Sequence, residues 1–102
     1  MLGRQGLIAE HEVECHDTAL GDGYGRMGDD TWEAITLAAR TEGLLLDPVY
    51  TGKTLAGLIA LIRSGELSAG QRVVFIHTGG TPALFAYQEG LDQRLEGGAA
   101  TA

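Results

Sequence analysis

Apolar residues recur at helical spacing in two stretches of this chain and run consecutively in two others. Ala34, Ile35, Ala38 and Ala39, with Leu37 beside them, make a mostly small apolar face that predicts a helix beginning near Thr31. Asp30 is its N-cap candidate with Glu33 three residues on, the spacing of a capping box, and Gly43 stands where a left-handed cap would close it. Leu55, Leu58, Ile59 and Ile62 fall at i, i+3, i+4 and i+7, predicting a second helix from Thr51 to Ser64 that Gly65 stops. Gly52 and Gly57 within it point to close backbone approach. Leu44-Leu45-Leu46 is a short apolar run closed by Asp47-Pro48, and Arg72-Val73-Val74-Phe75-Ile76-His77 is a β-branched and aromatic one. Both fit buried parallel strands.

The remaining segments follow weaker signals. His11 to Asp17 alternates polar and apolar with only Val13 and Cys15 as inward candidates, the pattern of a short edge strand. Gly21 to Gly28 holds four glycines in eight positions and must be a loop. Thr81 as N-cap and Pro82 at the first helical position open a last helix at Ala83. Strand and helix alternating three times predict an α/β fold with a parallel core. Residues 1–10 read as a weakly ordered arm and 11–87 as the folded unit. From Gln88 to Ala102 the pattern fades into a flexible tail.

Composition narrows the class of partner. The chain has 102 residues, one domain or part of one, with 14 acidic against 7 basic side chains and a net charge of −7. That balance argues against a nucleic-acid partner, which needs clustered positive charge, and against an anionic membrane surface. No apolar run approaches the length of a membrane span, and Met1 to Glu10 lacks the apolar segment of a secretory signal. Cys15 is the sole cysteine, which excludes an internal disulfide and fits a reducing compartment, so the expected location is cytoplasmic.

Parallel α/β sheets bind ligands at the carboxyl ends of strands, where loops meet helix N-termini. Two segments hold that position: Asp47 to Thr54, and His77-Thr78-Gly79-Gly80-Thr81. Both combine hydroxyls with glycines, so backbone amides can approach a ligand while side chains donate hydrogen bonds. Each is also the composition of an ordinary strand-to-helix connector. His11 and His16 sit among Glu12, Glu14 and Asp17, but strand side chains split between two faces and no second ligand pair supports a metal site. None is expected. His77 reads as a hydrogen-bonded wall residue, Trp32 as packing, and Cys15 as unactivated for want of a neighbouring cation. Lys53 reads as a solvated charge near a helix N-terminus.

The run Thr41-Glu42-Gly43-Leu44-Leu45-Leu46-Asp47-Pro48-Val49-Tyr50-Thr51-Gly52-Lys53, followed by Val74 to Tyr87, resembles the C-terminal end of a pyridoxal-phosphate enzyme family. That family holds D-cysteine desulfhydrase, 1-aminocyclopropane-1-carboxylate deaminase and L-cysteate sulfo-lyase, and the chain looks most like the desulfhydrase. The similarity covers about Glu12 to Tyr87, including Gly23-Tyr24-Gly25. It implies part of the tryptophan synthase β-like fold (fold type II), a partial parallel three-layer sheet, with pyridoxal 5′-phosphate as cofactor and a small amino acid as substrate.

Carried over by position, the resemblance implies that Thr78 sets a neutral hydroxyl against the pyridine nitrogen, with Thr51 and Gly79 also on the cofactor side. Tyr50 lines the substrate side as an acid–base or leaving-group residue, and Tyr24 is a second active-site tyrosine. Thr51 stands where the cyclopropane deaminases carry glutamate, and Thr78 where they carry an apolar residue, departures that favour elimination of sulfide from D-cysteine to give pyruvate and ammonia. The usual proline after the glycine-rich loop is replaced by Arg26-Met27-Gly28. The Schiff-base lysine and the phosphate cup of the family lie N-terminal of this region, and Lys53, the one lysine here, is not their equivalent. The expectation is therefore the C-terminal part of a lyase that forms a homodimer when intact. By itself, without the missing N-terminal part, the chain would be inert and marginally folded or self-associating. A non-catalytic ligand-binding or interaction module that keeps the scaffold is the rival reading. A minimal nucleotide-binding unit is weaker, because the chain lacks a phosphate-loop lysine motif and has no Gly-x-Gly-x-x-Gly turn after a clear strand.

Overall fold

The computed structural model describes Gly3 and residues 5–101. After a single 3-10 turn at Glu10–Glu12, the elements are α1 (Asp29–Glu42), α2 (Thr51–Arg63), the one-turn α3 (Ala83–Ala86) and α4 (Gln88–Thr101). Helix α1 is capped two residues earlier than expected. Gly28 is the N-cap, its carbonyl accepting from the Trp32 amide at 3.0 Å, while Asp30 accepts from the Thr31 amide at 2.8 Å. Glu33 closes no capping box; it pairs across the hairpin with Arg63 at the far end of α2. Gly43 ends α1 as expected, in the left-handed region at φ 66°, its amide returning to Ala39 while the Leu44 amide reaches Ala38.

The two long helices pack through small residues. Ala34, Ile35 and Ala38 of α1, Ala56 of α2 and Leu46 between the helices are the buried apolar residues, with Met27, Leu55 and Phe75 partly buried against that cluster. The buried positions of α2 are Thr51, Gly52, Lys53 and Ala56, and of the leucine–isoleucine stripe Leu55 packs on the α1 cluster. A Cβ on Gly52 would lie 3.0 Å from Ile35 and 2.4 Å from the Asp47 carbonyl. Close approach of α1 to the start of α2 thus requires glycine there, and this contact sets the register of the pair. Leu58 and Leu61 turn instead toward a cleft, and Ile62 is half exposed.

The structure corrects the expected fold class. No strand or sheet occurs among the described residues, and neither the parallel α/β core nor the partial three-layer sheet is present. Leu44–Leu46 and Arg72–His77 do come near one another: His77 Nε2 lies 2.9 Å from the Leu45 carbonyl, Thr81 Oγ1 donates to the same oxygen, and Phe75 packs near Leu46. These are side-chain contacts. A strand exists only where a neighbouring backbone supplies a ladder of N–H and C=O partners, and no such ladder links the two segments. Val74 and Ile76 are 87% and 74% exposed, the reverse of a strand covered on both faces. The expected edge strand at His11 to Asp17 is likewise absent; the 3-10 turn takes its start, and Val13 and Cys15 are exposed.

The segment from Gln88, patternless in sequence, is helical. Its run of Glu, Gln, Leu, Arg and Ala favours helix without an apolar stripe. Tyr87 Oη donates to the Gly25 carbonyl at 2.5 Å and Arg94 pairs with Asp29 at 2.8 Å, tying this end of the chain to the loop before α1. With a radius of gyration of 15.9 Å against ~13 Å for a compact domain of this length, the molecule is extended around a small core.

Candidate functional site

The chain between α1 and α2 folds around one carboxylate. Asp47 is fully buried and accepts from the Val49, Tyr50 and Thr51 amides at 2.7–2.9 Å and from the Thr51 hydroxyl at 2.6 Å. Its own carbonyl takes the Gly52 amide at 2.8 Å, and its amide donates to Thr51 Oγ1. Burial is the largest single influence on this carboxyl and pushes its pKa up. The four hydrogen bonds together outweigh it and hold the group below the ordinary carboxylate range. Four successive amides at the start of α2 therefore point at Asp47, and the anion-binding capacity of that helix end is filled from within. Gly80 lies against the same group: at φ +88°, a Cβ there would sit 2.6 Å from Asp47 Oδ1.

This turn delivers Tyr50 to the surface beside Tyr24. The two hydroxyls are 2.5 Å apart and the rings meet edge to face with centroids at 6.1 Å. The hydrogen bond to Tyr24, with that neighbour's charge, slight burial and the charge of Asp47, raises the pKa of Tyr50. Tyr50 is thus a held proton at neutral pH and not a ready base. Lys53, one turn along α2, is buried, and its ammonium donates to the Leu20 and Gly23 carbonyls at 2.8 Å each. This differs from the solvated charge expected from sequence: the ammonium is desolvated, and two carbonyls take the place of water.

Residues 16–20, one side of α2 and residues 73–78 enclose a cleft of about 590 Å³. Tyr50, Lys53, Leu58, Leu61, Val74 and Thr78 are among its walls. Thr78 is exposed on it, and its hydroxyl makes no hydrogen bond among the described residues. Tyr24 stands at this mouth through Tyr50. Thr51 is 1% exposed with its hydroxyl engaged twice by Asp47, and Gly79 donates its amide to His77 Nδ1 at 3.2 Å. The structure therefore brings Tyr24, Tyr50 and Thr78 to one opening and turns Thr51 inward. His77 is hydrogen-bonded as expected, though exposed. His16 approaches Glu14 at 3.3 Å, and no group of three metal-ligating side chains gathers among the described residues.

Sequence reasoning did not find the roles of three residues that shape this opening. Asp47 read as the close of an apolar run and the start of a candidate ligand segment; its spacing to Thr51, an Asp four residues before a hydroxyl at a helix start, is the signal that could have marked it as an internal cap. For Lys53, a lone lysine facing a glycine-rich loop thirty residues away in sequence, no local signal exists. Nor does one exist for Tyr87.

Comparison with known proteins adds two findings. Residues 2–79 match the family model described as pyridoxal-phosphate dependent enzyme. Over 88 residues the chain is 48% identical to the 1-aminocyclopropane-1-carboxylate deaminase of Burkholderia vietnamiensis (strain G4 / LMG 22486), covering 86% of this chain and 25% of that protein. The chain thus spans about a quarter of the length of this curated relative.

Proposed function

The chain belongs to the pyridoxal-phosphate dependent enzyme family, whose cofactor is pyridoxal phosphate, and we propose that it forms one wall of the active site of a lyase acting on a small β-substituted amino acid, D-cysteine foremost. The observation that carries this reading is the unengaged Thr78 hydroxyl on the same cleft as Tyr50. The donor set fits one side of the cofactor. Thr78 would hold the pyridine nitrogen with a neutral hydroxyl, and Gly79 lets the backbone lie close beside it. The set does not extend to the phosphate, because the amides at the start of α2 are already taken by Asp47. Nor does it supply the attachment lysine, since Lys53 is committed to two carbonyls.

Pyridoxal phosphate, when bound, supplies a ring that withdraws electrons from the substrate α-carbon. Against that chemistry the chain contributes a hydrogen-bond donor: the Tyr50 hydroxyl, paired with Tyr24, would donate to the departing sulfur and stabilise its charge. The apolar wall of Val74, Leu58 and Leu61 suits a short side chain. We also propose that the chain is inert without a partner segment bearing the lysine and the phosphate cup.

A second reading, deamination of 1-aminocyclopropane-1-carboxylate, is favoured by the 48% identity to a protein of that name. Thr51, the position that separates the two activities by resemblance, is turned away from the cleft. The distinction then rests on Thr78. The test has two arms. In the first, the purified chain with pyridoxal phosphate should release no sulfide from D-cysteine and no ammonia from the cyclopropane substrate, and borohydride should leave Lys53 unmodified; turnover would overturn the claim of inertness. In the second, the chain replaces its matching segment in the Burkholderia deaminase. Sulfide release from D-cysteine outpacing ammonia release from the cyclopropane substrate supports the lyase reading, and the opposite order selects the deaminase.

A further inference from the structure

Lys53 has no part in the chemistry proposed above, yet it is the most costly side chain in the cleft wall to bury. An ammonium removed from water is retained only where other groups replace its hydration. Here those groups are two backbone carbonyls of one loop, Leu20 and Gly23, both at 2.8 Å from Nζ. The loop can present them together because Gly21 and Gly23, at φ +66° and +135°, coil the backbone through the left-handed region. The residue after the second carbonyl is Tyr24. Its ring reaches Tyr50, which sits three residues before Lys53 on the same helical start. One turn of α2 thus carries both Tyr50 and the group that fastens the loop delivering Tyr24 to it.

We infer that Lys53 is a positioning residue, whose ammonium clamps the glycine-rich loop so that the Tyr24 and Tyr50 hydroxyls meet at the cleft mouth. The inference rests on the reading of those tyrosines as site residues, but its geometry does not depend on which substrate is used. Tyr87 holds the other side of the loop at the Gly25 carbonyl, so the loop is fastened at both ends of Tyr24. The bond to Tyr24 is also the main cause of the raised pKa of Tyr50, so loosening the loop must release it.

The test reads the tyrosines of the 102-residue chain without cofactor, following their ring Cζ resonances by carbon-13 NMR as pH rises. Lys53→Met should bring the Tyr50 midpoint down toward the ordinary value of 10.0. Tyr24→Phe should do the same, and the double variant should add nothing further, as expected for two changes acting through one contact. A Lys53→Met chain in which Tyr50 stays raised overturns the inference. Because that variant can fail to fold, a second measurement uses the unaltered chain: reductive methylation of its single lysine. Clamped by two hydrogen bonds, Lys53 should react at least about tenfold more slowly in native buffer than in denaturant. Equal rates overturn the clamp. Failure of the active-site reading shows up separately, as unchanged turnover when Tyr50→Phe is placed in the chimeric enzyme while both clamp readouts stand.

Discussion

The turns at Asp47 and at Thr78 look alike in sequence, each leading from an apolar run through a hydroxyl- and glycine-bearing loop into a helix, yet they end in opposite states. At Asp47 the amides of residues 49–52 are all taken, the Thr51 hydroxyl is used twice, and the carboxylate is sealed from water. At Thr78 the hydroxyl is free and the residue, like His77 before it, is exposed. The difference comes from one residue. A buried carboxylate fills the first turn from within; the second has none, and its Gly80 gives way so that the first can be filled. Two loops with similar composition therefore divide into a structural hub and an open surface.

The largest break of that contrast is Asp47→Ala. It leaves the amides at the start of α2 without their acceptor, and urea unfolding should show a loss of about 3 kcal/mol. The pH dependence follows from the same group. Its folded pKa lies below the ordinary 3.8, so its contribution is complete above that value and is lost as pH falls through the folded pKa. Asp47→Asn should remove this acid limb, seen as a flatter stability profile in the most acidic part of the titration.

Gly80→Ala comes next. It places a methyl 2.6 Å from the Asp47 carboxylate at a left-handed φ and should cost about 2 kcal/mol. In an Asp47→Ala background the collision with the carboxylate disappears, leaving the backbone strain and a 3.3 Å contact with the Cβ at 47, so the cost should shrink; an unchanged cost would separate the two turns energetically. The smallest effect sharpens the comparison most. Thr51→Val should cost about 1–2 kcal/mol because a buried hydroxyl with two partners is lost, whereas Thr78→Val should stay within about 0.5 kcal/mol by thermal unfolding. Equal costs would mean that Thr78 is structural too.

Much of the helical hairpin was legible. The periodicity of Ala34 to Ala39 and of Leu55 to Ile62, and the stop glycines Gly43 and Gly65, are local signals, and local signals place helices because each hydrogen bond closes within four residues. The same signals marked only part of the packed face of α2: Leu55 meets the α1 cluster, but the fully buried positions are Thr51, Gly52, Lys53 and Ala56, since which side packs depends on where α1 lies. Of the opening, the segments that hold Tyr50 and Thr78 were legible from their place between an apolar run and a helix, while Tyr24 and the individual roles came only through resemblance to a known family. Asp47 and Lys53 were not, because their roles are defined by partners in space. The helix at Gln88–Thr101 was missed because it lacks an apolar stripe.

By itself the sequence determined the two long helices, the glycines that stop them, the glycine-rich loop and the family to which the chain belongs. All of these are written in runs of neighbouring residues. The tertiary structure alone decided that Leu44–Leu46 and Arg72–His77 form no sheet, that the one lysine is buried against a distant loop, and that one of two similar turns is sealed while the other stays open. Each of these depends on what backbone or carboxylate lies across from a segment, and no segment carries that information about itself.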